Sequence, residues 1–185
     1  MNLYVALLRG INVGGSNLIR MPALKACFEA QGLRDVATYI QSGNVLFTAG
    51  RSNQLVLTRE IEDALSKTFA YRSRVVVRSF EEMKAIVEGV PKGFGGRPVA
   101  YRYDVIFLKE PLTADEAMKS ITAKPGVDRV VAGDRVLYFS RLISKASQSH
   151  LSRVVGKPEY QSMTIRNWNT TSKLLELMAR IGMGA

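Results

Sequence analysis

Apolar residues along the chain alternate between short strand-like runs and stripes spaced three to four apart, and this succession of elements occurs twice. LYVALL at 3–8 is a wholly apolar strand closed by Arg9 and Gly10. Pro22 suits the first turn of a helix over 21–31, with Leu24, Cys27 and Phe28 as its buried stripe and Gly32 as its stop. DVATYIQ at 35–41 and NVLFTA at 44–49 flank Ser42-Gly43, which predicts a β-hairpin with a two-residue connection whose glycine takes the positive φ of a tight turn. Positions 57, 61, 64, 65 and 69 give 53–70 a helical period, and the VVV run sets a strand at 73–79.

FEEMKAIVEG at 80–89 predicts a short helix, and PKGFGGRP at 91–98 a linker. A second series comes next: a strand at 100–108, a helix at 113–122 capped by Thr113, and strands at 127–132 and 135–140 turning at Gly133-Asp134. A helix at about 144–155, a short strand near 162–166 and a final helix at 170–181 complete it, with Asn169 or Thr170 as the last cap. The expected fold is therefore α+β: two tandem ferredoxin-like βαββαβ units with antiparallel sheets, strand order 4-1-3-2 and helices on one face, plus an extra C-terminal helix. Expected boundaries are 1–80, a helix and Gly/Pro linker over 81–99, 100–167, and the C-terminal helix at 168–185. The repeat is one of element order, without residue-level identity between the halves. Strands one and two of such a unit run the same way, so the polar segments 9–17 and 41–44 should converge at one end of the sheet.

Composition narrows the function classes. At 46% apolar and 23% charged residues, the chain can bury an ordinary core. No apolar run approaches the length of a membrane span, and MNLYVALLRG lacks the marks of a secretory leader, so a cytoplasmic location without membrane partners is expected. One cysteine, Cys27, excludes an internal disulfide and a cysteine-based zinc site; one histidine, His150, removes most histidine-rich designs. No Asp or Glu pair has metal-site spacing, and Asp104 and Glu110 flank a strand as solvated charges. No metal is expected, and the residues name no cofactor. The net charge of +10 divides into 12 basic against 8 acidic residues in 1–95 and 14 against 8 in 96–185. It is densest over 141–185, where basic residues interleave with apolar ones as on solvated helix faces, or as on a surface for phosphate or nucleic acid.

RGINVGGSNLIRM at 9–21, TYIQSGNVLF at 38–47 and TIRNWNT at 164–170 together resemble the bacterial family called domain of unknown function 1697. The likeness covers essentially the whole chain. It implies bacterial origin and a duplicated α+β fold, and it implies no activity or substrate.

The same segments hold the candidate chemistry. In RGINVGGSN, Arg9 ends a strand, Gly10, Gly14 and Gly15 let a ligand approach the backbone, and Asn12, Ser16 and Asn17 can donate hydrogen bonds ahead of a helix start. The spacing matches neither the dinucleotide GxGxxG nor the P-loop, and a tight turn explains the glycines equally well. Gln41, Ser42 and Asn44 read as a polar clamp or as a hairpin tip; Ser42 as a nucleophile lacks an evident base. Arg166 and Asn167 add a guanidinium and an amide beside Trp168, and Arg9 with Arg166 would suit a phosphate or carboxylate if the two meet.

Three functions remain in view. The first is binding, or enzymatic processing, of a small anionic ligand. The second is an RNA or DNA module that stacks bases on Tyr4, Tyr39, Phe47, Tyr101, Tyr103, Tyr138 and Phe139. The third is a structural or partner-binding protein. Reaction and oligomeric state are not encoded in these motifs.

Overall fold

The computed structural model describes residues 1–12, 17–50 and 53–183, and the chain divides into two compact units, 1–83 with 174–185, and 84–173. In the first unit the elements are β1 (Asn2–Leu8), α1 (Met21–Glu29), β2 (Arg34–Tyr39), β3 (Asn44–Ala49), α2 (Gln54–Phe69) and β4 (Val75–Ser79). The strands form one antiparallel sheet in the order β2-β3-β1-β4. Alternate residues of its central strands, Tyr4, Ala6, Leu8, Val45 and Phe47, share one core with Leu24 and Phe28 of α1 and Leu57, Ile61 and Leu65 of α2. Both helices thus cover one face. Phe47 anchors this core, with ring centroids 5.7 Å from Tyr4 and 5.5 Å from Phe28. Each such fully buried side chain contributes about 1.5–3 kcal/mol. Val5, Leu7, Leu46 and Val76, which point the other way, are equally buried, as the continuous apolar runs require.

The hairpin departs from expectation. Tyr39 pairs with Asn44, so four residues, 40–43, make the connection, and Ile40 (φ 50°) as well as Gly43 (φ 78°) adopts a left-handed conformation. Gly43 is also required for space: a Cβ there would lie 2.7 Å from Ile11 Cδ1 and 2.8 Å from Leu8 Cβ. Helix α2 is capped by Asn53, whose Oδ1 accepts from Leu55 N at 2.9 Å.

The second unit contains the end of α3 (Phe80–Glu88), then β5 (Tyr101–Leu108), α4 (Ala114–Ser120), β6 (Asp128–Gly133), β7 (Val136–Leu142), β8 (Met163–Asn167) and the start of α5 (Trp168–Met183). Its antiparallel sheet has the order β6-β7-β5-β8. A full capping box starts α4: Glu116 N donates to Thr113 Oγ1 and Thr113 N to Glu116 Oε2. The helix expected over 144–155 is instead three 3-10 turns, 143–148, 151–156 and 158–162. Serines at 144, 147, 149 and 152 compete for backbone groups, Val154 and Val155 are β-branched, and Gly156 and Pro158 keep any helix from extending further. The turn between β6 and β7 is Asp134-Arg135, one residue later than expected, with Arg135 at φ 57°. Gly133 instead makes room for Tyr138, whose Cε2 a Cβ would meet at 2.5 Å. The cap of α5 is Asn167, whose Oδ1 accepts from Thr170 N at 2.7 Å, and neither Asn169 nor Thr170. Among the described residues, no helix is long and apolar enough to cross a membrane.

Register reveals a likeness between the halves that their sequences conceal. Arg78 pairs with Val5 in one sheet and Arg166 with Val105 in the other. Each guanidinium is buried, and each Nη1 donates to the preceding carbonyl, Val77 O at 2.8 Å and Ile165 O at 3.0 Å. The next residue receives a helix amide in both cases: Glu82 N donates to Ser79 Oγ at 3.2 Å, Thr170 N to Asn167 Oδ1. Then comes an aromatic residue, Phe80 or Trp168.

The linker is part of the second unit. Phe94 sits edge-on to three rings, with centroids 4.9 Å from Tyr103, 5.4 Å from Tyr138 and 5.4 Å from Trp168. Gly95, at φ 79°, runs against the indole; a Cβ would lie 2.6 Å from Trp168 Nε1. Gly95→Ala is therefore expected to destabilise by about 1–3 kcal/mol through backbone strain and overpacking. Denaturant unfolding measures the loss, and the emission of Trp168, the sole tryptophan, should shift in the folded variant.

Candidate functional site

The polar motifs of the first unit meet at the end of its sheet where β1 and β2 finish and β3 and β4 begin. Asn12, at φ 53°, is the junction. Its Nδ2 donates to Gln41 O at 2.9 Å and to Ile19 O at 3.0 Å, while its Oδ1 accepts from Ile19 N at 2.8 Å. One side chain therefore ties the loop after β1 to the hairpin and to the approach to α1. Asn12 N also donates to Asn17 O at 3.2 Å, and Asn17 Nδ2 to Gly10 O at 2.9 Å, so the two ends of the loop are held together. Gly14 and Gly15, like Val13 and Ser16, lie outside the described residues.

In the hairpin, fully buried Asn44 donates through Nδ2 to Tyr39 O at 2.9 Å and to Ser42 Oγ at 3.1 Å. Leu8 N donates to Gly43 O at 2.8 Å, locking the hairpin tip to the strand that leads into Arg9. Arg9 N donates to Arg74 O at 2.9 Å, which brings the segment before β4 to the same place. Arg9, Asn12, Asn17, Gln41, Ser42 and Asn44 are thus gathered, and their amides act largely on the backbone of neighbouring loops.

Beside Arg9, which the sequence singled out, stand three cations that it did not, Arg20, Arg72 and Arg74. Segments 9–12, 17–20, 40–44 and 70–74 carry Arg9, Arg20, Arg72 and Arg74 and no Asp or Glu. Helix α1 starts here without a side-chain cap and without an acid in its first turn, leaving its positive dipole end uncompensated. The signal lay in segments separated in sequence that strand order joins.

Arg166 and Asn167 belong to the second unit. Arg166 is buried on β8, and burial pulls its guanidinium down to about 10, still charged at neutral pH. Of the two charges expected to be solvated, Asp104 is instead buried, 6% exposed with Oδ2 3.6 Å from Arg141 Nη2, while Glu110 is exposed as expected, its Oε1 2.7 Å from Arg135 Nη2. Cys27 is buried and its Sγ donates to Thr68 Oγ1 at 3.6 Å. Among the described residues, no three His, Cys, Asp or Glu cluster as metal ligands do.

Two four-stranded antiparallel sheets with a C-terminal helix and a polar loop junction define a mixed α+β protein. A family model described as protein of unknown function, DUF1697, matches residues 1–138, and the chain belongs to that family. It is similar over 96% of its length to a conserved bacterial protein from Streptococcus pneumoniae, of which it covers 98%, with 26% identity and a TM-score of 0.84. No curated protein matches the chain.

Asn12→Ala removes three hydrogen bonds at a partly buried junction and should cost about 2 kcal/mol of unfolding free energy. An unchanged denaturation midpoint would show that Asn12 does not hold the loops. A second expectation concerns Asp104, which burial, opposed by Arg141 and Arg102, raises above the ordinary carboxylate value. A folded value above the unfolded one means that the folded chain takes up the proton first. Its penalty is thus present at neutral pH, is relieved as pH falls through the raised value, and is gone below about pH 4. The stability of the wild type relative to Asp104→Asn should rise over that fall; a flat difference in pH-dependent denaturation would contradict it.

Proposed function

We propose that the protein binds a small anionic ligand, a phosphate or carboxylate compound, at the loop end of the first sheet. Arg9 and the segment holding Gly14 and Gly15 receive the anion, and Asn12, Asn17, Gln41, Ser42 and Asn44 hold the frame. The observation that carries this reading is charge: Arg9, Arg20, Arg72 and Arg74 come to that end beside an uncapped helix start, against the carboxylate of Glu62 on α2, whose Oε1 accepts from Val75 N at 2.7 Å. Such a cluster raises the local concentration of anions, and guanidinium groups bind oxyanions by paired hydrogen bonds.

Arg166 and Asn167 occupy in the second unit the positions of Arg78 and Ser79 in the first. We read the two units as copies of one ferredoxin-like split βαβ unit, the second having lost its second helix. Nucleic-acid stacking is less favoured, because Tyr4, Phe47, Tyr103, Tyr138 and Phe139 are buried. The proposal is of binding and names no reaction.

Thermal unfolding with inorganic phosphate, pyrophosphate and small carboxylates tests the proposal. A ligand at about 100 times its dissociation constant adds about 2.7 kcal/mol, several degrees in Tm for a chain of this size. The shift should vanish in Arg9→Ala and Arg74→Ala and persist in Arg153→Ala, an exposed arginine of the second unit. Equal shifts in all three variants would place the anion elsewhere.

A further inference from the structure

The second unit contains a cavity of about 320 Å³, at the lower end of the range for small-molecule sites. Its floor is the face of the sheet opposite the α4 core, where Tyr103, Tyr138 and Ser140 come from β5 and β7 and Arg129 from the edge strand β6. Its roof is the segment 91–97, held down by Phe94 wedged among Tyr103, Tyr138 and Trp168.

These walls are fixed before any ligand arrives. Tyr138 Oη donates to Ile86 O at 2.6 Å, Tyr103 Oη accepts from Arg97 N at 3.2 Å, and turn bonds from Phe94 N to Pro91 O and Gly96 N to Gly93 O shape the roof. Preorganised aromatic walls bind flat rings at low entropic cost.

Charge at the cavity is one-sided. Lys92, Arg97 and Arg129 line it, and the Arg97 guanidinium lies 5.5 Å from the Tyr101 ring centroid. Asp128 is the one acid among the lining residues. Side chains alternate along a strand, so with Arg129 on the cavity side the Asp128 carboxylate turns to the other face. There its Oδ2 accepts from Lys124 N at 3.0 Å and His150 N at 2.8 Å.

We infer that this cavity binds a flat aromatic ring bearing an anionic group, the ring between Tyr101 and the Phe94 cluster and the anion on Arg97 and Arg129. A nucleoside monophosphate and an aryl carboxylate share this chemistry. The volume suits one ring system with one anionic group. The site is separate from the loop end of the first unit and does not depend on it.

Trp168, 5.4 Å from Phe94, reports on the roof. Full-length protein is titrated with AMP, phenylacetate, adenosine and inorganic phosphate, following tryptophan emission and ligand-detected NMR saturation transfer. AMP or phenylacetate should bind saturably, the tighter of the two naming the source of the anion, with adenosine and phosphate weaker by at least about tenfold. Arg97→Ala and Arg129→Ala, both exposed residues, should each weaken binding about tenfold at unchanged Tm. Four results would overturn the inference: no saturable signal by either method up to about 5 mM, adenosine binding as well as AMP, full binding by the double variant, or binding of a single-stranded oligonucleotide alone. An unchanged phosphate-induced Tm shift in Arg9→Ala would remove the first site and leave this one intact, so the two proposals fail separately.

Discussion

Burial of both faces of each sheet is the constraint on which the remaining structure depends. The central strands are apolar at consecutive positions, with Val5, Ala6, Leu7 and Leu8 on one and Val105, Ile106, Phe107 and Leu108 on the other, all essentially inaccessible to water. A strand of this kind cannot present a wet face. Five of the seven aromatic residues expected to stack RNA bases, Tyr4, Phe47, Tyr103, Tyr138 and Phe139, are therefore buried, and polar function is driven to the strand ends and to the rim where the segment 91–97 lies over the second sheet. Each candidate site stands at one of these places.

The same constraint makes the two buried arginines conspicuous. Removing a guanidinium from water is expensive unless its protons are satisfied, yet Arg78 and Arg166 hold the same register in their sheets and make the same bond to the preceding carbonyl. Both precede a capping residue and an aromatic one at a helix start. Around these similar arginines the two units differ in charge: arginines gather at the loop end of the first, with Glu62 of α2 beside them, while Glu110 pairs with Arg135 in the second.

Much of this was legible in the residues. The apolar runs and turn glycines place all eight strands within a few residues, and strand direction alone brings the 9–17 and 41–44 loops together. What failed did so for local reasons. Serines and β-branched residues turned the helix over 144–155 into 3-10 turns. Glycine at 133 signalled crowding by Tyr138 and not a turn, and Asn167 was read as surplus chemistry when it is the cap. The arginine cluster and the cavity were invisible because their residues come from separate segments. The likeness between 77–80 and 165–168 rests on two arginines and similar neighbours, too little to see without a register.

The bonds from Asn12 to Asn17 and from Asn17 to Gly10 fasten the two feet of a loop to each other independently of the residues between. Under the proposal made above, such a loop would serve as a socket, anchored at its feet to the sheet beneath. Ligand preference in proteins built this way can diversify within a few residues while the scaffold stays constant, so a shared fold across such chains is a poor guide to a shared ligand.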